Sequence, residues 1–531
     1  MSIYRNFLSV GAMTFLSRLL GFARDILIAS LLGTSMAADA FFAAFRFPNL
    51  FRRLFAEGAF NTAFIPMFAA TLEEKGATAA RDLAARIISW LLVFLVLVLV
   101  ATELFMPWIM NIFVPGYRSD PQKFALTVLL ARICFPYLAL MSLMAAFGGM
   151  LNGLGRFLAA AFAPVMLNVV LILLLAGLVL ISAERQAGAL ILSVGVLIGG
   201  IAQVAIVVWA LRRCDFLPPV QRPVWDGDIA RFSRLALPVV LAGGITQINI
   251  FIGTIIASGA PGAVSYLNYA DRMYQLPLGI IGVAIGVVLL PELTRHLKAA
   301  RLAHAQLSQE KSLLMAMLLG MPAAMALFVL AHPIIQVLFQ RGAFDETATA
   351  ATATALSAFA IGLPAFLLIK VFQPGFFARQ NTVAPTVLAA ISVAINVTLS
   401  LLLFPRLAHV GIAVATTVSA WYNAMMLLAI LVNNRQFSLT LSMARDHLFI
   451  VLASILMGFA LWAAEGFLAP MLQGLSGLAL QWGAFGLLVV GGMAIYFVQL
   501  FFFGLFVPRQ FVALFSRDTL DVASEPDSPT G

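Results

Sequence analysis

Fourteen apolar runs, each near the roughly 20 residues that a membrane-spanning helix needs, alternate with polar or Pro/Gly-containing breaks along the chain. They fall near 7–32, 37–70, 86–112, 124–150, 157–182, 188–211, 230–257, 263–291, 311–338, 347–375, 383–404, 410–432, 447–468 and 479–507. The pattern predicts an all-α integral membrane protein with fourteen transmembrane helices. The second run is out of character, because its stretch AFRFPNLFRRLFAEGAF, residues 44–60, places Arg46, Arg52, Arg53 and Glu57 inside an otherwise greasy segment.

An internal repeat organises the runs. AEGAFNTAFIP closes the second span and IGVAIGVVLLP the eighth, while GRFLAAAFAP enters the fifth and ARQNTVAP the eleventh, at nearly one offset. Spans 1–6 and 7–12 therefore read as two copies of a six-helix unit. Six being even, the copies share one orientation, as parallel repeats about an axis along the membrane normal. The expected division is an N-lobe over 1–212, a C-lobe over 213–435, two extra helices over 436–510, and an acidic, Pro/Ser-containing disordered tail over 511–531.

Composition agrees with the pattern: 62% of residues are hydrophobic and 10% charged, with a mean hydropathy of +1.01. The net charge of +9 is mostly topological. Lys and Arg crowd the loops of one side (Lys75, Arg81, Arg86, Arg212, Arg213, Arg222, Arg295, Lys298, Arg301), and the opposite loops hold Arg118, Lys123, Arg185, Arg341 and Arg406. By the positive-inside rule both termini are expected in the cytoplasm, and no nucleic-acid partner is implied. The N-terminus lacks a clean apolar segment with a cleavage site and reads as a retained first helix. Cys134 and Cys214 form no disulfide framework.

An ionisable group at mid-bilayer costs roughly 2.5–3.5 kcal/mol on the lenient insertion scale. At about 100° per residue, Asp39, Arg46 and Arg53 share one stripe of the second helix, joined by Asn49 and Glu57, with Arg52 further round. SRLLGFARD in the first span places Arg18 and Asp25 on one face with Arg24 beside them, and YADRMYQLP in the eighth adds Asp271 and Arg272. For any one of these residues an internal salt bridge is an equal reading. For the set it fails, because with Arg132 and Lys370 the cations outnumber Asp25, Asp39, Glu57, Glu103 and Asp271. The stripes imply a hydrated cationic cavity whose arginine forks suit phosphate or carboxylate.

Other chemistry is thin. There is no phosphate-binding G-x-x-x-x-G-K-[ST] loop and no G-x-S-x-G, and His296, His304, His332, His409 and His447 lack metal-ligand spacing. The sequence gives no enzyme, no catalytic residue, no metal site and no cofactor.

SRLLGFARD, ADAFFAAFRFPNLFRRLFAEGAFNTAFIP, YADRMYQLPLGIIGVAIGVVLLPELTR, RGAFD and PGFFARQNTVAP together resemble the MurJ (MviN) family of lipid II flippases, in the multidrug/oligosaccharidyl-lipid/polysaccharide exporter superfamily. The resemblance runs through nearly the whole chain and is weakest after residue 435. It implies two six-helix lobes in a V around a central cationic cavity, with the last two helices forming a groove for a polyprenyl tail. It also implies that lipid II, undecaprenyl pyrophosphate bearing the disaccharide-pentapeptide precursor of peptidoglycan, passes from the inner to the outer leaflet by alternating access. On the matching positions it assigns substrate binding to Arg18, Arg24, Asn49, Arg52, Arg53 and Arg272, with Arg24 and Arg272 on the diphosphate. Asp25, Asp39, Glu57 and Asp271 orient arginines or gate the path. The implied setting is the bacterial inner membrane, with membrane lipids and the peptidoglycan-synthesis machinery as further partners.

Two positions depart from the family pattern, Gln275 where members can carry glutamate and Asn381 where they can carry aspartate. The seventh span offers only neutral Gln247 and Asn249, whereas a sodium site wants carboxylate oxygens. Sodium coupling is therefore not expected, and a membrane potential acting on cavity charges is the alternative drive. Two competing functions stay in view: flipping of another polyprenyl-linked glycan, and a drug or cation antiporter, which would want carboxylates where this chain has arginines.

Overall fold

A computed structural model of the protein describes residues 3–52, 63–472 and 477–505. Arg53, Glu57 and the expected tail over 511–531 lie outside the described residues. Among the described residues the chain is helical without strands: α1 (Ile3–Leu32), α2 (Met36–Arg52), α3 (Ile65–Phe113), α4 (Pro121–Cys134), α5 (Tyr137–Gly153), α6 (Phe157–Leu180), α7 (Arg185–Arg212), α8 (Gly227–Ala257), α9 (Ala263–Lys298), α10 (Leu302–Val329), α11 (Ala331–Phe339), α12 (Glu346–Phe377), α13 (Val383–Asn433), α14 (Leu441–Leu472) and α15 (Leu478–Phe502).

The predicted apolar runs overlap these helices, the fourth covering both α4 and α5 and the ninth both α10 and α11, while residues 53–62 of the second lie outside the described ones; against the fourteen runs, ten apolar spans are counted among the described residues. Part of the difference has a plain cause. The eleventh and twelfth runs form one 51-residue helix, α13, broken at Ala408 by φ 45 and ψ −128. At 1.5 Å per residue such a helix far exceeds a bilayer of about 30 Å, so the break at Ala408 separates two spans' worth of chain. The described part of α2 is only 17 residues long, and α1 carries Arg18, Arg24 and Asp25. Apolar side chains such as Leu180, Phe467 and Phe502 are 80% or more exposed, which suits a lipid-facing surface.

The chain divides into two compact units. One comprises Met1–Arg272, Leu338–Ala355 and Val393–Ala415, the other Met273–Val337, Leu356–Ser392 and Thr416–Gly531. In the first, α1 packs on α6, α6 and α5 on α7, and α2 on α4. Close approach of α6 to α7 needs small residues: a Cβ at Gly199 would sit 2.6 Å from Leu167 Cδ1, and one at Gly195 2.5 Å from Leu174 Cδ1. The connection from Cys214 to Asp226 lies along α3, where Trp90 Nε1 donates to Val224 O at 3.0 Å and Arg86 pairs with Asp226 and Asp228. In the second unit α14 packs on α10 and α15 on α14, and Tyr496 Oη donates to Leu318 O at 2.8 Å.

The turn between α1 and α2 explains the RGAFD stretch. Gly33, at φ 59, and Gly342, at φ 59, both occupy the left-handed region that favours glycine. Ala343 N donates to Ser30 O at 2.8 Å, and a Cβ at Gly33 would lie 2.1 Å from Ala343 O. Neither glycine has room for a side chain, so the two turns close against each other backbone to backbone.

Candidate substrate-binding and gating site

Two buried carboxylates organise the charged residues of the first unit. Asp25, on α1, is 2% exposed. Its Oδ1 accepts from Arg24 Nε at 3.0 Å and Nη2 at 2.7 Å, and its Oδ2 from Arg272 Nε at 3.0 Å. Successive residues on a helix do not ordinarily face each other, so the long Arg24 side chain folds back to reach its neighbour. Arg24 Nη1 then donates to Asn168 Oδ1 at 3.0 Å, and Asn168 Nδ2 donates to Ser17 O at 3.0 Å. Every nitrogen of the Arg24 guanidinium is thereby engaged, and the residue is 7% exposed. Arg272 differs: 42% of its side chain is exposed, so part of its guanidinium stays accessible while Asp25 fixes its orientation. One carboxylate between two guanidinium groups leaves the trio with a net positive charge.

Asp39, near the start of α2, is fully buried. Its Oδ2 accepts from Lys123 Nζ at 2.6 Å and Gly262 N at 2.9 Å, and its Oδ1 from Ser265 N at 3.0 Å and Ser265 Oγ at 2.7 Å. Gly262 immediately precedes α9 and Ser265 lies in its first turn, where free N–H groups and the positive end of the helix dipole favour an anion. The carboxylate of one helix thus caps the N-terminus of another. About two turns further along the same stripe, Arg46 reaches α8 and α9, donating from Nη1 to Thr254 Oγ1 at 3.0 Å and from Nη2 to Asn268 Oδ1 at 3.5 Å. The spacing of seven therefore aims Asp39 and Arg46 at α8 and α9.

The remaining candidates are placed as follows. Arg18 is exposed on α1, and Asp271 is half-buried beside Arg272. Arg52 Nε donates to Asn49 Oδ1 at 3.2 Å, and Asn49 Nδ2 donates to Phe45 O at 2.8 Å. Arg53 and Glu57 fall outside the described residues. Asn249 Oδ1 is taken by Asn396 Nδ2 at 2.8 Å. Among the described residues no group of three or more His, Cys, Asp or Glu side chains could hold a metal ion.

Two participants escape a sequence reading. Lys123, just before the run at 124–150, counts as a loop cation; it sits instead in the first turn of α4, which Asp120 caps by accepting from Gln122 N and Lys123 N, and its side chain is 9% exposed. Asn168 does leave a signal, as the lone amide in the apolar run of α6. Such a residue has to find a partner inside the bilayer.

A family model described as lipid II flippase MurJ matches residues 28–479. A Rhizobium tropici protein named "Probable lipid II flippase MurJ" is 44% identical over 505 residues, 95% of each chain. A Burkholderia cenocepacia protein named "Lipid II flippase MurJ" is 36% identical over 437 residues, 80% of this chain and 83% of the other. Among solved structures, a lipid II flippase MurJ in an inward closed conformation superposes with a TM-score of 0.77 at 24% identity, over 93% of this chain and 98% of that one. An inward-facing multidrug transporter of the MATE family, in the MOP superfamily, gives 0.67 at 15% identity, over 81% and 98%. These last two likenesses are of fold.

Proposed function

Because the chain belongs to the lipid II flippase MurJ family, we infer that it carries lipid II from the inner to the outer leaflet of the bacterial inner membrane by alternating access. It is a transporter and not an enzyme. The observation that carries the reading is the Asp25 trio. A buried carboxylate holds Arg24 as a fixed cation and steers the half-exposed Arg272, a donor fork matched to the diphosphate that links undecaprenol to the disaccharide-pentapeptide. Arg18 and Arg52, both accessible, add positive charge to the path, and Asn49 orients Arg52. Arg53, Glu57 and Asp271 keep the binding and gating roles that their motifs suggest. A drug or cation antiporter would place anions where this site has guanidinium groups.

The working division proposed with this reading is that of the sequence repeat, 1–212 and 213–435, with α14 and α15 carrying the polyprenyl tail on their exposed apolar side chains. The lysine and arginine bias supports cytoplasmic termini. Neutral Gln247 and Asn249 favour membrane potential over sodium as the drive, worth roughly 2.3 kcal/mol per charge per 100 mV. The peptidoglycan-synthesis machinery, which makes and consumes lipid II, is the proposed partner class.

The test is lipid II sidedness in cells depleted of their own flippase and supplied with wild type, Arg24→Ala or Arg272→Ala at matched membrane levels. Wild type is expected to relieve accumulation on the cytoplasmic face. Each variant should fall short by about 10–100-fold, the value of one or two charge-assisted hydrogen bonds. Full rescue by both variants would make the arginines structural and remove the proposed route.

A further inference from the structure

Lys123 shares Asp39 Oδ2 with Gly262 N but comes from a different helix, α4. Its Nζ lies 2.6 Å from Asp39 Oδ2 and 4.0 Å from the ring centroid of Tyr117, whose hydroxyl in turn points to Asp39 O at 3.5 Å. Lys123 is therefore held by α4, by the 3-10 turn Pro115–Ser119 that carries Tyr117, and by α2, none of them part of α9, although Gly116 of the turn also donates to Ser258 Oγ at the end of α8. The other three bonds to Asp39 all come from the first turn of α9 and the residue before it. The carboxylate thus has two separate kinds of compensation, one fixed in its own helix packing and one supplied by α9.

We propose that Lys123 is a positioning residue for transport: it neutralises Asp39 when the first turn of α9 withdraws, and so makes the α2–α9 contact reversible. A buried carboxylate that lost all its donors at once would be stranded in a low-dielectric site. With Lys123 in place, opening costs hydrogen bonds to α9 but leaves no naked charge. Without it, the closed arrangement keeps the amides and dipole of α9 while the open one keeps nothing, so the closed state is favoured. This inverts the effect expected of an ordinary structural salt bridge, whose removal loosens the contact it belongs to.

The proposal rests on the flippase reading only for why α2 and α9 must part. Its test needs no lipid II, so the two can fail separately. In a Cys134→Ser, Cys214→Ser background, Ala263→Cys places a thiol on the buried first turn of α9. Membrane vesicles of both orientations are treated with an impermeant thiol reagent, and the labelling rate is read from the side on which α9 begins. Lys123→Met is expected to slow labelling by about tenfold, Lys123→Gln to slow it likewise, and Lys123→Arg to recover most of the rate. The double variant Lys123→Met with Asp39→Asn, having no charge to strand, should label faster than Lys123→Met alone. Labelling in Lys123→Met or Lys123→Gln equal to or faster than in the parent would overturn the proposal. Should both uncharged variants fail to fold, the double variant is compared with Asp39→Asn alone, which shares its donor mismatch: a double variant that folds at least as well supports the proposal, and one that folds worse overturns it, since Lys123 would then serve packing alone.

Discussion

Replacing Asp25 by alanine is expected to abolish lipid II translocation and to destabilise the first unit by about 3–5 kcal/mol, the range for stranding one partner of a buried ion pair. The size follows from burial. Arg24 has 9% of its side chain exposed and donates two of its bonds to Asp25 Oδ1, so it cannot turn to water when the carboxylate is lost. Arg272, at 42% side-chain exposure, can rehydrate and loses direction rather than solvation. Thermal unfolding in detergent should therefore report the Arg24 penalty, while translocation at matched folded protein reports the misaimed Arg272. Asn168→Ala separates the two, because it removes the Arg24 Nη1 acceptor and leaves the Arg272 contact in place. An Asp25→Ala protein with unchanged unfolding and translocation would show that the trio carries neither stability nor transport.

Asp39→Ala should be at least as severe in stability, by a different route. Besides leaving Lys123 buried and unpaired, it deprives Gly262 N, Ser265 N and Ser265 Oγ of their acceptor. A buried donor left without a partner costs about 1–3 kcal/mol. Asp39→Asn is not a mild version, since its amide would turn a donor toward donors that already converge on that site. The check is a double-mutant cycle by thermal unfolding: Asp39→Ala with Lys123→Met should recover about the ion-pair part of the loss and no more, because the α9 donors stay unsatisfied. Strict additivity of the two single changes would contradict a direct Asp39–Lys123 interaction.

Helix positions were legible because the physics that sets them is local. Apolar runs bounded by polar or Pro/Gly breaks place α6 at Phe157–Leu180 and α12 at Glu346–Phe377 within a few residues of the expected 157–182 and 347–375. The stripe of Asp39 and Arg46 was legible for the same reason, since a spacing of seven is a property of one helix. Pairing was not. Nothing in the chain between Asp39 and Lys123, or between Arg24 and Asn168, announces that α2 will lie on α4 or α1 on α6. The cost of a buried charge says only that some partner exists. Lys123 falls among the loop cations because the fourth apolar run begins at residue 124, although Asp120 caps α4 and Pro121 starts it. The RGAFD stretch was recognisable as a motif, but its reason lies in Gly342 and Ala343 closing on Ser30 and Gly33, a contact between segments far apart in sequence.

The measurement that bears most directly on the central claim uses the purified full chain in liposomes carrying lipid II on both leaflets. Headgroup accessibility to an external enzyme is followed with time for wild type and Arg272→Ala under an imposed membrane potential. Wild type is expected to expose the inner-leaflet pool and Arg272→Ala to do so about 10–100-fold more slowly. Equal rates for the two proteins, with both well above protein-free liposomes, would contradict diphosphate recognition by the Asp25-held arginines.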